Sequence, residues 1–228
     1  PVYKDGSPIF YVANRGHHSD IGGITPGSMP PFSKELLEEG ACIKSLKLVQ
    51  NGQFNETELV EKLNEPATIE RGPNDLKSYG SRNLSDSISD LQAQVAANTK
   101  GIGLVHDLVE EYGLDVVQAY MHYVQTNAED AVRDMLREIA SKNDLGEVGK
   151  LYAEDYMDDG TKIALTITLN SEDGSAIFDF SDTDMQVFGN INTPAAVTYS
   201  AVIYCLRCMV NDEIPLNQGT NIYIFFII

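Results

Sequence analysis

Residues 85 to 142 constrain the fold more than any other part of the chain. In SDSISDLQAQVAANTKGIGLVHDLVEEYG, the apolar residues Ile88, Leu91, Val95, Ile102, Val105 and Leu108 recur near the helical period of about 3.6 residues. Gly101 and Gly103 lower helix propensity and predict that this helix weakens or divides there. Gly113 fits a C-cap. A second helix is predicted beyond it, over LDVVQAYMHYVQTNAEDAVRDMLREIASK. Its stripe is Val116, Val117, Tyr120, Val124, Ala128, Ala131, Val132, Met135, Leu136 and Ile139. Two long helices joined by a short link favour an antiparallel pair.

Shorter elements surround this helical region. PIFYVAN (residues 8 to 14) is rich in β-branched and aromatic residues and reads as a strand. GGITPGSMPPFS (residues 22 to 33) is dense in Gly and Pro, so irregular backbone is expected. ACIKSLKLVQNGQF reads as a strand closing on an Asn51-Gly52 turn. NETELVEKLNEP reads as a short helix with Asn55 as N-cap, Glu58 three residues on, and Pro66 after its end. TKIALTITLN and SAIFDF alternate at period two and predict a β-hairpin, and residues 195 to 210 a last helix. The order of strands, helices, strands and helix indicates an α+β fold: a long helix pair with short strands and a β-hairpin.

The 228 residues are 43% hydrophobic, enough for one sizeable core or two small ones. With 34 acidic residues against 16 Lys+Arg, the formal charge is −18. Such a surface repels a duplex or an anionic membrane, so neither is an expected partner. The apolar run YIFFII at residues 223 to 228 is far shorter than the ~20 residues of a membrane span, and it is aggregation-prone if unpaired. The cysteines are Cys42, Cys205 and Cys208, an odd, low count that fits a reducing compartment. Cys205 and Cys208 form a CLRC motif in an apolar run, where they read as small core residues on a helix.

The sharpest cluster lies in RGHHSDIGG, residues 15 to 23. His17, His18 and Asp20 are of the types that bind zinc, manganese or iron. His18 and Asp20 would pair if the strand continued, His17 and Asp20 in a turn; a solvated loop with a His–Asp contact is the alternative to both. Arg15 beside them suits a carboxylate or phosphate, or is an ordinary surface arginine. Asp86 and Asp90 lie four apart on one helix face, with Gln94 further along and Arg82 ahead; this row could face a substrate or simply water. Asp158, Asp159, Asp182 and Asp184 read as turn formers, and His106 and His122 as structural histidines within helices. No phosphate-binding glycine loop, dinucleotide fingerprint or nucleophile elbow is present in the sequence.

NRGHHSDIGGITPGSMPP, RNLSDSISDLQAQVAANTKGI, YGLDVVQAYMHYVQTNAEDAVRDMLR, MDDG, FDFSDT, FGNINTPAAVTYSAVIYCLRC and IPLNQG occur in that order. Together they resemble the B-half of the hydantoinase/5-oxoprolinase family, most of all its eukaryotic ATP-dependent branch, over residues 9 to 219. The resemblance implies a cytosolic, ATP-dependent hydrolase of cyclic amides that opens 5-oxo-L-proline to L-glutamate in glutathione turnover. A hydantoinase-type cyclic amidase is the alternative, as is a non-catalytic truncated isoform that binds a full-length partner. It further implies a divalent metal ion held by His17, Asp20 and His18. Asp20 and Arg15 are expected as catalytic, and Arg82, Asp86 and Asp90, from their residue types and helix spacing, as substrate-binding. ATP and Mg would be bound by a separate A-half, with the complete enzyme a homo-oligomer. An upstream ligand segment of the family is missing here, and TNIYIFFII departs from the family pattern. Residues 1 to 228 are therefore expected to be a partial domain, truncated at both ends and inactive alone.

Overall fold

The computed structural model describes the chain apart from Asn74, Asp212, Ile222 and Ile228. It divides into two compact units, Pro1–Tyr112 with Phe188–Ile191, and Gly113–Val187 with Asn192–Ile228. Helices and small sheets are mixed in the manner of an α+β fold.

The first unit opens with a hairpin of β1 (Val2–Lys4) and β2 (Ser7–Phe10), turned at Asp5 and Gly6 with both φ angles positive. The strand expected over residues 8 to 14 ends at Phe10, and the chain continues as a loop. After the short α1 (Leu36–Glu39), β3 (Val49–Gln50) and β4 (Gln53–Phe54) pair across Asn51 (φ 51°) and Gly52 (φ 77°). Two successive left-handed residues match the twist of the flanking strands. The strand itself is shorter than expected, because residues 41 to 48 stay irregular. α2 (Glu56–Asn64) buries Leu59 and Leu63, one turn apart, and a 3₁₀ turn over Glu65–Thr68 buries Pro66. Asn55 precedes α2, but its side chain donates to Glu58 Oε2 (2.5 Å) instead of capping the helix.

α3 (Leu84–Tyr112) is unbroken. The division expected at Gly101 and Gly103 does not occur, since tertiary packing outweighs a weak propensity. α3 packs on β1 and α2. A Cβ at Gly101 would lie 2.8 Å from Val12 Cγ1, whereas Gly103 faces open space. Gly101 is thus the point where the N-terminal loop approaches the helix closely.

The second unit builds a four-stranded sheet in the order β5 (Val148–Tyr156), β6 (Lys162–Asn170), β7 (Ala176–Asp179), β8 (Ile224–Ile227). β5, β6 and β7 are antiparallel neighbours, while β8 pairs parallel to β7. The parallel step is made by α5 (Ala195–Met209), giving one βαβ crossover in an otherwise antiparallel sheet. Residues 224 to 227 of the terminal apolar run are thereby paired; Ile228 lies outside the described residues. α4 (Leu114–Lys142) and α5 cover one face of this sheet. Ala128, Val132, Met135, Leu136 and Ala140 of α4 meet Leu169, Phe178, Leu206 and Ile224 in the core. Only the C-terminal half of the expected α4 stripe is buried, because Val116, Tyr120 and Val124 are exposed.

Two arginines of α4 hold the β6–β7 turn. Arg133 donates to Asp173 O and Glu129, and its guanidinium lies 3.2 Å from the centroid of the Tyr223 ring. Arg137 donates to Asp173 O (3.1 Å) and Glu172 O (3.4 Å). Gly174 (φ 69°) is required there, as a Cβ would stand 2.7 Å from Arg133 O. Cys205 and Cys208 lie on α5 as expected, but both are exposed rather than in the core. No helix among the described residues is long and apolar enough to cross a membrane.

Replacing glycine by alanine inside a helix ordinarily adds roughly 0.5–1 kcal/mol of stability. Gly103→Ala is expected to show that gain in urea unfolding. Gly101→Ala should show less gain or a net loss, since Val12 must move. Equal gains at both positions would mean the loop does not rest on α3 at Gly101.

Candidate functional site

The candidate site is the loop of residues 11 to 27, held against the segment that leads into α3. Gly22 (φ 94°) and Gly23 (φ 87°) turn the chain. Gly23 then exchanges two hydrogen bonds with Tyr79, donating at 2.8 Å and accepting at 3.1 Å. Side chains are excluded from both glycines, because a Cβ would run into Tyr79 O at Gly22 and into Glu38 O at Gly23. The glycine pair after HHSD therefore permits a backbone approach on two sides.

Asp20 is the centre of this arrangement and is 8% exposed. Its carboxylate accepts from the backbone N–H groups of Gly22 (3.0 Å), Gly27 (3.2 Å) and Arg82 (3.0 Å), and from Arg82 Nη1 (2.9 Å). Those four donors match the acceptor capacity of a carboxylate, which is about four lone pairs. Its carbonyl oxygen accepts from Ser81 (3.2 Å) and Ser87 (3.4 Å), two buried serines. Arg82 also donates to Gly23 O (2.9 Å) and Thr25 O (3.3 Å) and lies over the Tyr79 ring. Burial pushes the Asp20 carboxyl up. The three N–H groups and the guanidinium outweigh that, and the net result lies below the usual carboxylate value.

The other expected residues surround this clamp. His18 Nδ1 stands 3.4 Å from Asp90 Oδ2 but makes no hydrogen bond among the described residues. His17 and Arg15 are exposed. Asp86 is exposed on α3 and accepts from Asn83. Asn14 donates to Gln94 O (2.7 Å), fastening the loop to α3 one turn beyond Asp90. The structure thus joins Asp20 with Arg82, and His18 with Asp90, while His17, Arg15 and Asp86 present themselves to solvent. His106 and His122, expected as satisfied structural histidines, are exposed on their helices.

The implied metal set does not form a centre by itself. No three His, Cys, Asp or Glu side chains among the described residues come together as a metal-binding group. Asp20 would have to give up protein donors to bind an ion. Three participants were not legible as such: Ser81, Ser87 and Glu38. Glu38 is buried, accepts from Lys34 N (2.7 Å) and Arg71, and offers its carbonyl to Ile24 N (2.9 Å). The Lys34 N–H is the main cause, ahead of opposing burial and the Arg71 guanidinium, that holds its carboxyl below the usual range. The signal for Glu38 would have been an acid in a segment with no other reason to be ordered.

Asp20→Asn places an amide N–H₂ among N–H donors. A loss of about 2 kcal/mol at neutral pH is expected from the unmatched donors. Because the folded carboxyl has the lower pKa, its contribution is complete above the ordinary carboxylate range. It disappears as pH falls through the depressed value. Unfolding of the parent and the variant at about pH 7 and pH 2.5 checks this. The gap should narrow in acid, and a constant gap would rule out the ionised carboxylate as the source.

Comparison with known proteins agrees with the sequence resemblance. The family model described as Hydantoinase B/oxoprolinase matches residues 1–228. A 5-oxoprolinase from Dictyostelium discoideum is 57% identical over 219 residues, covering 96% of this chain and 16% of its own length. The 5-oxoprolinase 1 of Arabidopsis thaliana is 52% identical over 226 residues, covering 96% and 18%. The crystal structure of an ATP-dependent caprolactamase from Pseudomonas jessenii superposes with a TM-score of 0.71 at 25% identity, over 93% of this chain and 34% of that one. The chain spans under a fifth of the length of these two curated relatives. It belongs to the hydantoinase B/oxoprolinase family.

Proposed function

We propose that this chain is part of an ATP-dependent hydrolase of cyclic amides whose substrate is 5-oxo-L-proline and whose product is L-glutamate. The observation that carries the reading is the Asp20–Arg82 clamp, which fixes the His17–His18 loop beside the Asp86–Asp90 face of α3. Identity above 50% to proteins named 5-oxoprolinase supports the choice of substrate.

A five-membered lactam is a stable amide with a poor leaving nitrogen. Transfer of a phosphoryl group from ATP to its oxygen, with ADP leaving, would make the carbonyl carbon electrophilic; water then adds, the ring nitrogen leaves as the amine, and a second water hydrolyses the resulting acyl phosphate to the carboxylate and inorganic phosphate. The nucleotide, with its Mg, would be bound by an A-half outside these residues. Within them, an imidazole beside a carboxylate suits proton transfer, which assigns that work to His18 with Asp90, with the exposed His17 next to them. Arg15 suits the free carboxylate of 5-oxoproline. Asp86 faces the same solvent. Asp20 and Arg82 act as positioning residues, because their polar atoms are already engaged with each other and with the backbone. Any divalent metal would draw on His17 and on ligands from elsewhere in a longer protein.

The natural antigen should be captured from cell extract with an antibody against this chain and assayed for glutamate release from 5-oxoproline. Release that requires ATP is expected. A long antigen that releases none would remove 5-oxoproline as the substrate. A short, intact and inactive antigen would replace the enzyme reading with a partner-binding isoform.

A further inference from the structure

The helix α5 carries a second cluster that the proposed reaction does not use. Cys205, Cys208 and Met209 occupy positions i, i+3 and i+4 of its last turns, and all three are exposed. Such positions fall within roughly 100° of one another around a helix. We propose that Cys205, Cys208 and Met209 form a surface site for a soft monovalent metal ion, copper(I).

The first argument is donor type. Two thiolates and a thioether are soft sulfur donors, the set that selects copper(I) over harder ions. Zinc would find two thiolates and no imidazole among these three, and thioether is not among its usual ligands. The second argument is spacing. Residues three or four apart on a helix have Cβ atoms about 5–6 Å apart, while a disulfide needs about 3.5–4.5 Å. The intact helix therefore disfavours a Cys205–Cys208 disulfide. A metal ion lying between the sulfurs bridges the wider gap. The third argument is position. Met209 is the last residue of α5, and the C-terminal end of a helix carries partial negative charge that favours a cation. Binding exchanges two thiol protons for one copper(I), with no change of oxidation state, and leaves the bis-thiolate complex with one negative charge.

The test is titration of the reduced, oxygen-free full chain with copper(I) against a chromogenic copper(I) chelator. About one ion per chain should be withheld from the chelator. Cys205→Ser and Cys208→Ser should each abolish that withholding. Met209→Leu should keep the stoichiometry and weaken affinity about tenfold. Cys42→Ser should change nothing. Helical circular dichroism of each variant separates loss of the site from loss of the fold. A Cys205→Ser/Cys208→Ser double variant that is folded and still withholds one ion would overturn the proposal. An unchanged affinity in Met209→Leu would remove the thioether from it. Formation of a Cys205–Cys208 disulfide in air with the helix content intact would overturn the spacing argument.

Discussion

The ionised carboxylate of Asp20 is the interaction on which the first unit depends. A carboxylate this far from water is costly unless its charge is matched and its lone pairs are filled. Three backbone N–H groups and the Arg82 guanidinium do both. Each of these donors belongs to a segment with no regular structure of its own. Meeting the needs of one charge therefore orders residues 20 to 27 and the entry to α3 together. The Gly23–Tyr79 bridge and the buried serines 81 and 87 extend the same contact. What reaches solvent from this base is His17 with Arg15, while His18 stays partly buried beside Asp90.

The second unit solves a similar problem with the same residue type. Arg133 and Arg137 bind the carbonyls of Glu172 and Asp173 and so pin the β6–β7 turn to α4, as Arg82 binds the carbonyls of Gly23 and Thr25. A planar guanidinium offers five donors in a fixed fork, which suits converging backbone oxygens. In a chain with 34 acidic residues and 16 basic ones, ion-pair partners for every acid are out of reach. The arginines at these three positions order turns as well as neutralising neighbours.

Sequence periodicity located α3, α4, α5 and the β6–β7 hairpin because each repeats a pattern over many residues. It failed where the deciding contact comes from elsewhere in the chain. Gly101 reads locally as a helix breaker, yet its missing side chain makes room for Val12. Cys205 and Cys208 lie in an apolar run, yet face outward, since Val202 and Leu206 take the core side of α5. β5 and β8 escaped notice: Lys150, Glu154 and Asp155 interrupt the apolar pattern of the first, and the second is four residues long. At the candidate site, residue types flagged Asp20, His18, Arg82 and Asp90, but not who would meet whom. The four-donor shell of Asp20 arises from positions up to 62 residues apart, and no local spacing encodes it.

The tetrapeptide Phe188–Ile191 has a place in the first unit although its neighbours on both sides belong to the second. Asn190 donates to the carbonyl of Pro30, and Lys34 lies over the Phe188 ring. The polypeptide accordingly passes between the units at three points instead of one. Modules strung end to end can be duplicated, exchanged or lost by recombination at a single joint. These two cannot, because any cut that frees one removes a piece of the other.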